Sequence, residues 1–281
     1  MTTVIRYHDG TWRDAAGQRS LFYRMWEVEH PQALVVIVHG FGEHSGRYDH
    51  VARVLASCGL TVACPDLRGH GQSPGLRGDI ERFEQYLDDL TAITDHVFSP
   101  RVPSKGVVVF GHSFGGLVAL HWAARRPQDI RCLVIQSPLL GVGFHVPRWK
   151  EYAAAVLARW FPRLTLPGGV NPAWLSHDPT VVDGYRHDPL VHDQVSLRGY
   201  GMIRRAMSQA RAFAGQITVP VLLLYGSEDH VVSVQACREV AGLLVCENRV
   251  KEFPGAYHEL HHESIEPELL AEIAQWIHAH V

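Results

Sequence analysis

Cysteine is scarce in this 281-residue chain and follows no pattern. There are five (Cys58, Cys64, Cys132, Cys237 and Cys246), an odd number with no C-x-x-C pair. That argues against a disulfide framework or a thiolate zinc site, and fits buried free thiols in a reducing compartment. No apolar run approaches the roughly 20 residues of a bilayer-spanning helix. The first residues, MTTVIRYHDGTWRD, lack a basic segment followed by an apolar one, so no signal peptide is read and a cytoplasmic location is expected. A basic excess is also missing: 26 Lys and Arg against 29 Asp and Glu leave a net charge of −3, which argues against a nucleic-acid partner. Histidine is abundant, at 19, but without H-E-x-x-H or comparable ligand spacing; the one His-His pair is His261 and His262. Neither a metal nor an organic cofactor is expected. Internal repeats and low-complexity segments are lacking too.

What the chain does have is a rhythm. Short apolar runs rich in Val, Ile and Leu recur at 33–40, 60–66, 106–113, 130–138, 219–229 and 248–255, most of them separated by helical patterns. Their lack of clean alternation marks strands buried on both faces of a parallel sheet. Tyr48, Val51, Val54, Leu55 and Cys58 follow helical spacing with Gly59 placed to end the helix, and Tyr86, Leu90, Ile93 and Val97 follow it again. Strand and helix in alternation predict a doubly wound α/β sheet. The first thirty residues read instead as an antiparallel hairpin at the sheet's edge. Between about 140 and 215 the rhythm breaks, with no strand-like run, and a mostly helical insertion is expected. The chain therefore divides into a core (1–139), a cap (140–215) and a second core segment (216–281).

Two pentapeptides fit the G-x-S-x-G elbow that exposes a serine nucleophile: GQSPG at 71–75 and GHSFG at 111–115. An elbow needs a buried strand before the serine, a helix after it, and an N–H on the next residue to help hold an oxyanion. Ser73 is preceded by a loop and followed by Pro74, which has no N–H. Ser113 is preceded by VVVF and followed by Phe114 and a good helical sequence, so Ser113 is the nucleophile candidate. The acid and base of such a site follow in the order Ser, Asp/Glu, His. Asp229 ends the next strand, in YGSEDH, at the carboxyl end where ligands of open α/β sheets bind. It is preferred to its neighbour Glu228 and to Asp178, Asp183, Asp188 and Asp193, which lie in the insertion. Of the later histidines, His258 follows a strand and the turn PGAYH, the right kind of place for a base.

These motifs have a family look. HGFGEHSGRY (39–48), DLRGHGQS (66–73), GHSFGG (111–116), YGSED (225–229) and YHELHHE (257–263) resemble the monoacylglycerol lipase and lysophospholipase branch of the α/β-hydrolases, in order and over nearly the whole chain. The resemblance implies an α/β-hydrolase fold and a triad of Ser113, Asp229 and His258, with Phe114 and Phe41 supplying two oxyanion N–H groups. It also implies that Glu43, Arg47 and His261 lie near the polar head group. For Glu43 and Arg47 an ion pair holding the oxyanion loop is the equal alternative, and His261 could stand one layer behind the substrate.

The chemistry implied is ester hydrolysis through an acyl-enzyme: His258 takes the Ser113 proton, two N–H groups hold the oxyanion, and Asp229 orients His258. Within the cap, Trp149, Tyr152, Ala153, Val156, Leu157, Trp160, Phe161 and Leu164 form an apolar helical stripe, with Lys150, Glu151, Arg159 and Arg163 off it. Trp160 and Phe161 are thereby expected to line an acyl-chain tunnel, with core packing or peripheral membrane contact as the other uses of such a stripe. A neutral glycerol head group is the favoured leaving group. The alternatives are a lysophospholipase or general carboxylesterase, an acyltransferase, and a non-catalytic ligand-binding relative of the fold.

Overall fold

A computed structural model describes residues 3–102 and 106–281. Strands β1 (Ile5–Arg13) and β2 (Ser20–Val28) form the antiparallel hairpin at the edge of an eight-stranded sheet. β3 (Leu34–Val38), α1 (Asp49–Ser57), β4 (Thr61–Pro65), α2 (Glu84–Ile93), β5 (Val107–His112), α3 (Phe114–Arg125) and β6 (Ile130–Gln136) follow. The inserted segment holds α4 (Arg148–Leu157), β7 (Thr165–Pro167), α5 (Pro179–His187), β8 (Gln194–Ser196) and α6 (Leu197–Phe213). The chain returns to the sheet with β9 (Val221–Gly226), α7 (Val234–Leu243) and β10 (Asn248–Phe253), and ends in α8 (Glu266–Ala279). Sheet order is β1-β2-β4-β3-β5-β6-β9-β10, parallel from β4 to β10. This is the α/β-hydrolase architecture, as the sequence implies.

The continuous apolar runs have their cause in this sheet. Alternate residues point to opposite faces, and both faces are covered. Leu34, Val36 and Val38 of β3 join a core with α2, α3, α6 and α7, while Val35 and Ile37 join a second core with α1 and α8. The same split runs through Val107 and Val109 against Val108 and Phe110 in β5. Helix α1 stops where expected: Gly59 takes φ +84°, a left-handed conformation only glycine adopts freely, and its N–H reaches the Ala56 carbonyl at 2.9 Å.

The insertion departs from the sequence reading in two ways. It contains one antiparallel ribbon, β7 against β8, whose three-residue strands are too short to show alternation in sequence. Its last helix is also no free-standing cap element, since Ile203, Ala206, Met207 and Ala210 of α6 are buried in the main core.

Candidate active site

β5 runs out of the sheet at His112, and α3 begins at Phe114; Ser113 between them takes φ 53° and ψ −116°. A non-glycine residue in that region is strained, and strain of this kind gathers at functional sites. The two flanking glycines make the turn feasible. A Cβ on Gly115 would collide with the Val38 carbonyl oxygen, and one on Gly111 with the carbonyl oxygen of Gly115. The turn is pinned by the Ser113 N–H donating to Gln136 O at 2.9 Å and the Leu139 N–H donating to Ser113 O at 2.9 Å. Ser113 itself keeps 8% of its surface exposed, at the floor of a cavity.

Asp229 follows β9, and both its oxygens are used. Oδ1 accepts from the N–H groups of Val231 and Val232 at 2.8 and 2.9 Å, and Oδ2 lies 2.7 Å from His258 Nδ1. An ionised carboxylate only accepts, so the proton of this bond sits on Nδ1, leaving Nε2 of a neutral His258 with its lone pair. Burial pushes the His258 pKa down, but the Asp229 carboxylate outweighs it and holds the imidazole above its ordinary value. Next to it His112 is driven down to about 4, by burial first and then by His258. Glu228 makes no such contact; its N–H donates to Ala256 O at 3.1 Å.

Ser113 and His258 border one cavity of about 380 Å³, with Phe41 on its wall. Phe114 is the first residue of α3, so its N–H has no acceptor within the helix and stands at the positive end of the helix dipole. Most of the remaining wall is apolar, from Leu139, Phe144, Val170, Ile203, Met207 and Val231 among others. The cavity thus brings together the Ser113 side chain, the His258 imidazole and apolar space, beside the N-terminus of α3.

The loop carrying Phe41 is braced by buried polar groups. His39 lies 2.7 Å from Gly40 O and accepts the Leu67 N–H at 2.9 Å. Glu43 Oε1 accepts from the Gly40 N–H at 2.5 Å and from the Tyr48 hydroxyl at 2.6 Å, while Oε2 pairs with Arg47 at 2.6 Å. Arg47 also forms two bonds with Glu259, at 2.6 and 2.8 Å. One guanidinium thus ties the loop before α1 to the residue that follows His258. Glu43 and Glu259 are each 2% exposed. Burial pushes both carboxyls up, yet Arg47 outweighs it; Glu43 is held below its ordinary pKa and Glu259 well below. Of the two readings of Glu43 and Arg47, the geometry favours the ion pair, because every Glu43 oxygen is already bonded within the protein.

Two sequence expectations are corrected. His261 does not reach the cavity: it is fully buried behind it, stacked on Tyr48 with ring centroids 5.1 Å apart and bonded to Gln136 at 2.7 Å. Trp160 and Phe161 do not line a tunnel. Helix α4 ends at Leu157, before them, and they are 77% and 60% exposed. Trp149 and Tyr152, at 68% and 74%, face solvent as well, while Lys150, Glu151 and Ala154 turn to the cavity. An apolar stripe in a sequence reveals a face but not the medium it meets. Ser73 is a loop residue, as read from Pro74: its hydroxyl donates to Asp66 O at 2.6 Å and accepts the Phe22 N–H at 2.9 Å.

Sequence reasoning missed Glu259, Gln136 and Tyr185. Glu259 is one acid among many in the sequence, and only its contact with Arg47 distinguishes it. Tyr185, from α5, lies on the cavity wall beneath the Arg47 guanidinium, 4.9 Å from its ring centroid. No helix among the described residues is long and apolar enough to cross a membrane.

Comparison with known proteins places the chain in a family. A family model described as serine aminopeptidase, S33 (Hydrolase_4) matches residues 29–265. The monoglyceride lipase of Homo sapiens is 35% identical over 97% of this chain and 91% of its own. Phospholipase YtpA of Bacillus subtilis is 30% identical over 85% of this chain and 92% of its own. The crystal structure of the Paleococcus ferrophilus monoacylglycerol lipase superposes with a TM-score of 0.83 at 32% identity, covering 98% of this chain and 100% of that one. The chain belongs to the Hydrolase_4 family of serine hydrolases, on the α/β-hydrolase fold.

Proposed function

We propose that the chain hydrolyses monoacylglycerols to fatty acid and glycerol, with Ser113 as nucleophile, His258 as base and Asp229 as its orienting acid. The observation that carries this reading is the apolar cavity shared by a strained Ser113 and an Asp229-bonded His258. His258 Nε2 takes the hydroxyl proton as the Ser113 oxygen attacks the ester carbonyl. The N–H groups of Phe41 and Phe114 receive the oxyanion, and the imidazolium returns its proton to the leaving glycerol oxygen. A water activated by the same imidazole then hydrolyses the acyl-enzyme. The chemistry needs no metal or organic cofactor.

The head group is read from charge. Glu43, Glu151 and Glu259 border the cavity with Lys150 as a nearby cation. A lysophospholipid brings a phosphate, which calls for several cationic donors, whereas glycerol hydroxyls suit the Tyr185 hydroxyl on the cavity wall. Monoacylglycerol is therefore cleaved with a higher kcat/KM than lysophosphatidylcholine or the methyl ester of the same acid. A panel of these esters at one chain length is the test, and a higher kcat/KM for lysophosphatidylcholine replaces this reading with a lysophospholipase. Because Glu43 and Arg47 are spent on each other, the Tyr185→Phe variant is the one expected to narrow the gap between monoacylglycerol and methyl ester.

The pH profile follows from the environment of His258. The base must be neutral, and its pKa lies above the ordinary value of about 6.5. The acid limb of kcat/KM is then a single step centred above that value, and activity is lost as pH falls through it. A profile level down to about pH 4 would remove His258 from the role.

The outward apolar face of the cap supports peripheral membrane contact. Trp149, Tyr152, Trp160 and Phe161 are each exposed within one short stretch of the chain, and contiguous apolar surface of this kind marks a protein or membrane contact. Replacing Trp160 and Phe161 with serine lowers hydrolysis of vesicle-borne substrate while sparing nitrophenyl acetate in solution. Equal loss on both substrates, with folding intact, would argue against a lipid-facing patch.

A further inference from the structure

Behind the active-site wall, next to Glu259, lie two imidazoles that the proposed reaction does not use. The short helical turn Leu260–His262 presents two adjacent imidazoles, and Glu259 precedes it. One ligand atom each from Glu259, His261 and His262 lies within 4.8 Å of the others. His262 Nδ1 stands 2.8 Å from Glu259 Oε2. His261 Nε2 is buried with no hydrogen-bond partner, an orphan that costs stability.

The second layer orients that orphan atom. The Gln136 side-chain nitrogen is placed 2.7 Å from His261 Nδ1 and 3.1 Å from His112 Nδ1, and its oxygen is buried without a partner. Rotating the amide by half a turn leaves the heavy-atom positions essentially unchanged. The oxygen then accepts Nδ1–H from both imidazoles. His261 is fixed in the tautomer whose Nε2 carries a lone pair aimed away from Gln136, the way a metal-ligating histidine is held by its other ring nitrogen. His50 bonds to the His261 carbonyl at 2.9 Å and stacks on His262, with ring centroids 4.7 Å apart. An opening of about 430 Å³, lined by His50, His177, His262 and Glu263 among others, gives solvent a path to the cluster.

We propose that Glu259, His261 and His262 form a binding site for a zinc-like divalent ion, with the fourth position open to the adjoining pocket. Two imidazole nitrogens and a carboxylate are a zinc donor set, and tetrahedral bonds of roughly 2.0–2.2 Å place the ligand atoms about 3.3 Å apart. Reaching that spacing requires the His262–Glu259 contact, at 2.8 Å, to open and the longer separations, up to 4.8 Å, to close. Glu259 already serves Arg47, at 2.6 and 2.8 Å, so the ion shares its carboxylate with a cation and binds more weakly than in a dedicated Glu-His-His site. The histidines of the proposed triad and of this cluster are separate, and the inference stands whether or not the substrate reading does.

Titrating the full-length chain with Zn²⁺ by calorimetry, and with Co²⁺ followed by its visible absorption, tests the proposal. The expected result is one equivalent bound, with absorption bands of four- or five-coordinate cobalt and a raised thermal midpoint. The His262→Gln variant, which keeps a hydrogen-bonding group beside Glu259, loses affinity by roughly tenfold or more, while Ser113→Ala binds as the parent does. Unaltered binding in folded His262→Gln would assign the metal to other histidines of the nineteen and overturn the site, as would no binding by the parent chain.

Discussion

Replacing Ser113 with alanine lowers kcat by roughly a millionfold, the scale seen when a serine nucleophile is removed. The loss comes without a compensating change in fold, because the pinning bonds of the turn are made by backbone groups: the Ser113 N–H to Gln136 O and the Leu139 N–H to Ser113 O. Ser73→Ala behaves in the opposite way. Its hydroxyl holds Asp66 O and the Phe22 N–H in a buried place, and leaving such groups unpaired costs about 1–3 kcal/mol. The Ser73 variant therefore melts earlier but turns over substrate at nearly the parent rate. A fluorophosphonate probe separates the two, since it labels Ser73→Ala and leaves Ser113→Ala unlabelled. Labelling of Ser113→Ala at Ser73 would reverse the assignment.

The second large effect is expected at Arg47. Removing one partner of a buried ion pair leaves uncompensated charge behind, at a cost of about 3–5 kcal/mol. Arg47→Ala leaves two such carboxylates, Glu43 and Glu259, each 2% exposed. Glu43 also braces the Gly40 N–H next to Phe41, and Glu259 follows His258, so kcat/KM falls for monoacylglycerol and methyl ester alike. A head-group contact would instead spare the methyl ester, and that result would restore Arg47 to a substrate-binding role. The pH dependence of stability gives a second check. In the parent chain both carboxyls have depressed pKa values in the folded state, so their contribution is present above the unfolded value near 4.3 and is lost as pH falls through the folded values. Without Arg47 the largest influence opposing burial is gone, so both folded pKa values rise, although His112 and His39 still lower Glu43 and His262 still lowers Glu259. The variant therefore loses less stability than the parent on mild acidification. Denaturant midpoints at pH 7 and pH 5 measure the difference.

The sheet was legible in the residues because each strand carries its own record. A segment buried on both faces must be largely apolar, as β3, β4, β5, β6 and β9 are, while the edge strand β10, NRVKEF, is mostly exposed and carries charge. The choice between Ser73 and Ser113 was legible for a similar reason: a proline after the serine and a strand before it are local facts about the backbone. Asp229 and His258 could be picked out by their places after β9 and β10, and their 2.7 Å contact follows from two neighbouring strands ending side by side. What escaped the sequence is relational. Glu259 and Arg47 are 212 residues apart and meet only through packing. The apolar stripe of α4 has the same periodicity whether it faces a cavity or solvent, so the outward turn of Trp149 and Tyr152 had no local signature. His261 and His262 look like an ordinary pair until a tight turn, Gln136 and Glu259 gather around them. Burial pattern and turn chemistry belong to neighbouring residues and are written along the chain, whereas the partners of a buried charge, and the medium an apolar face meets, exist only once distant segments have packed together.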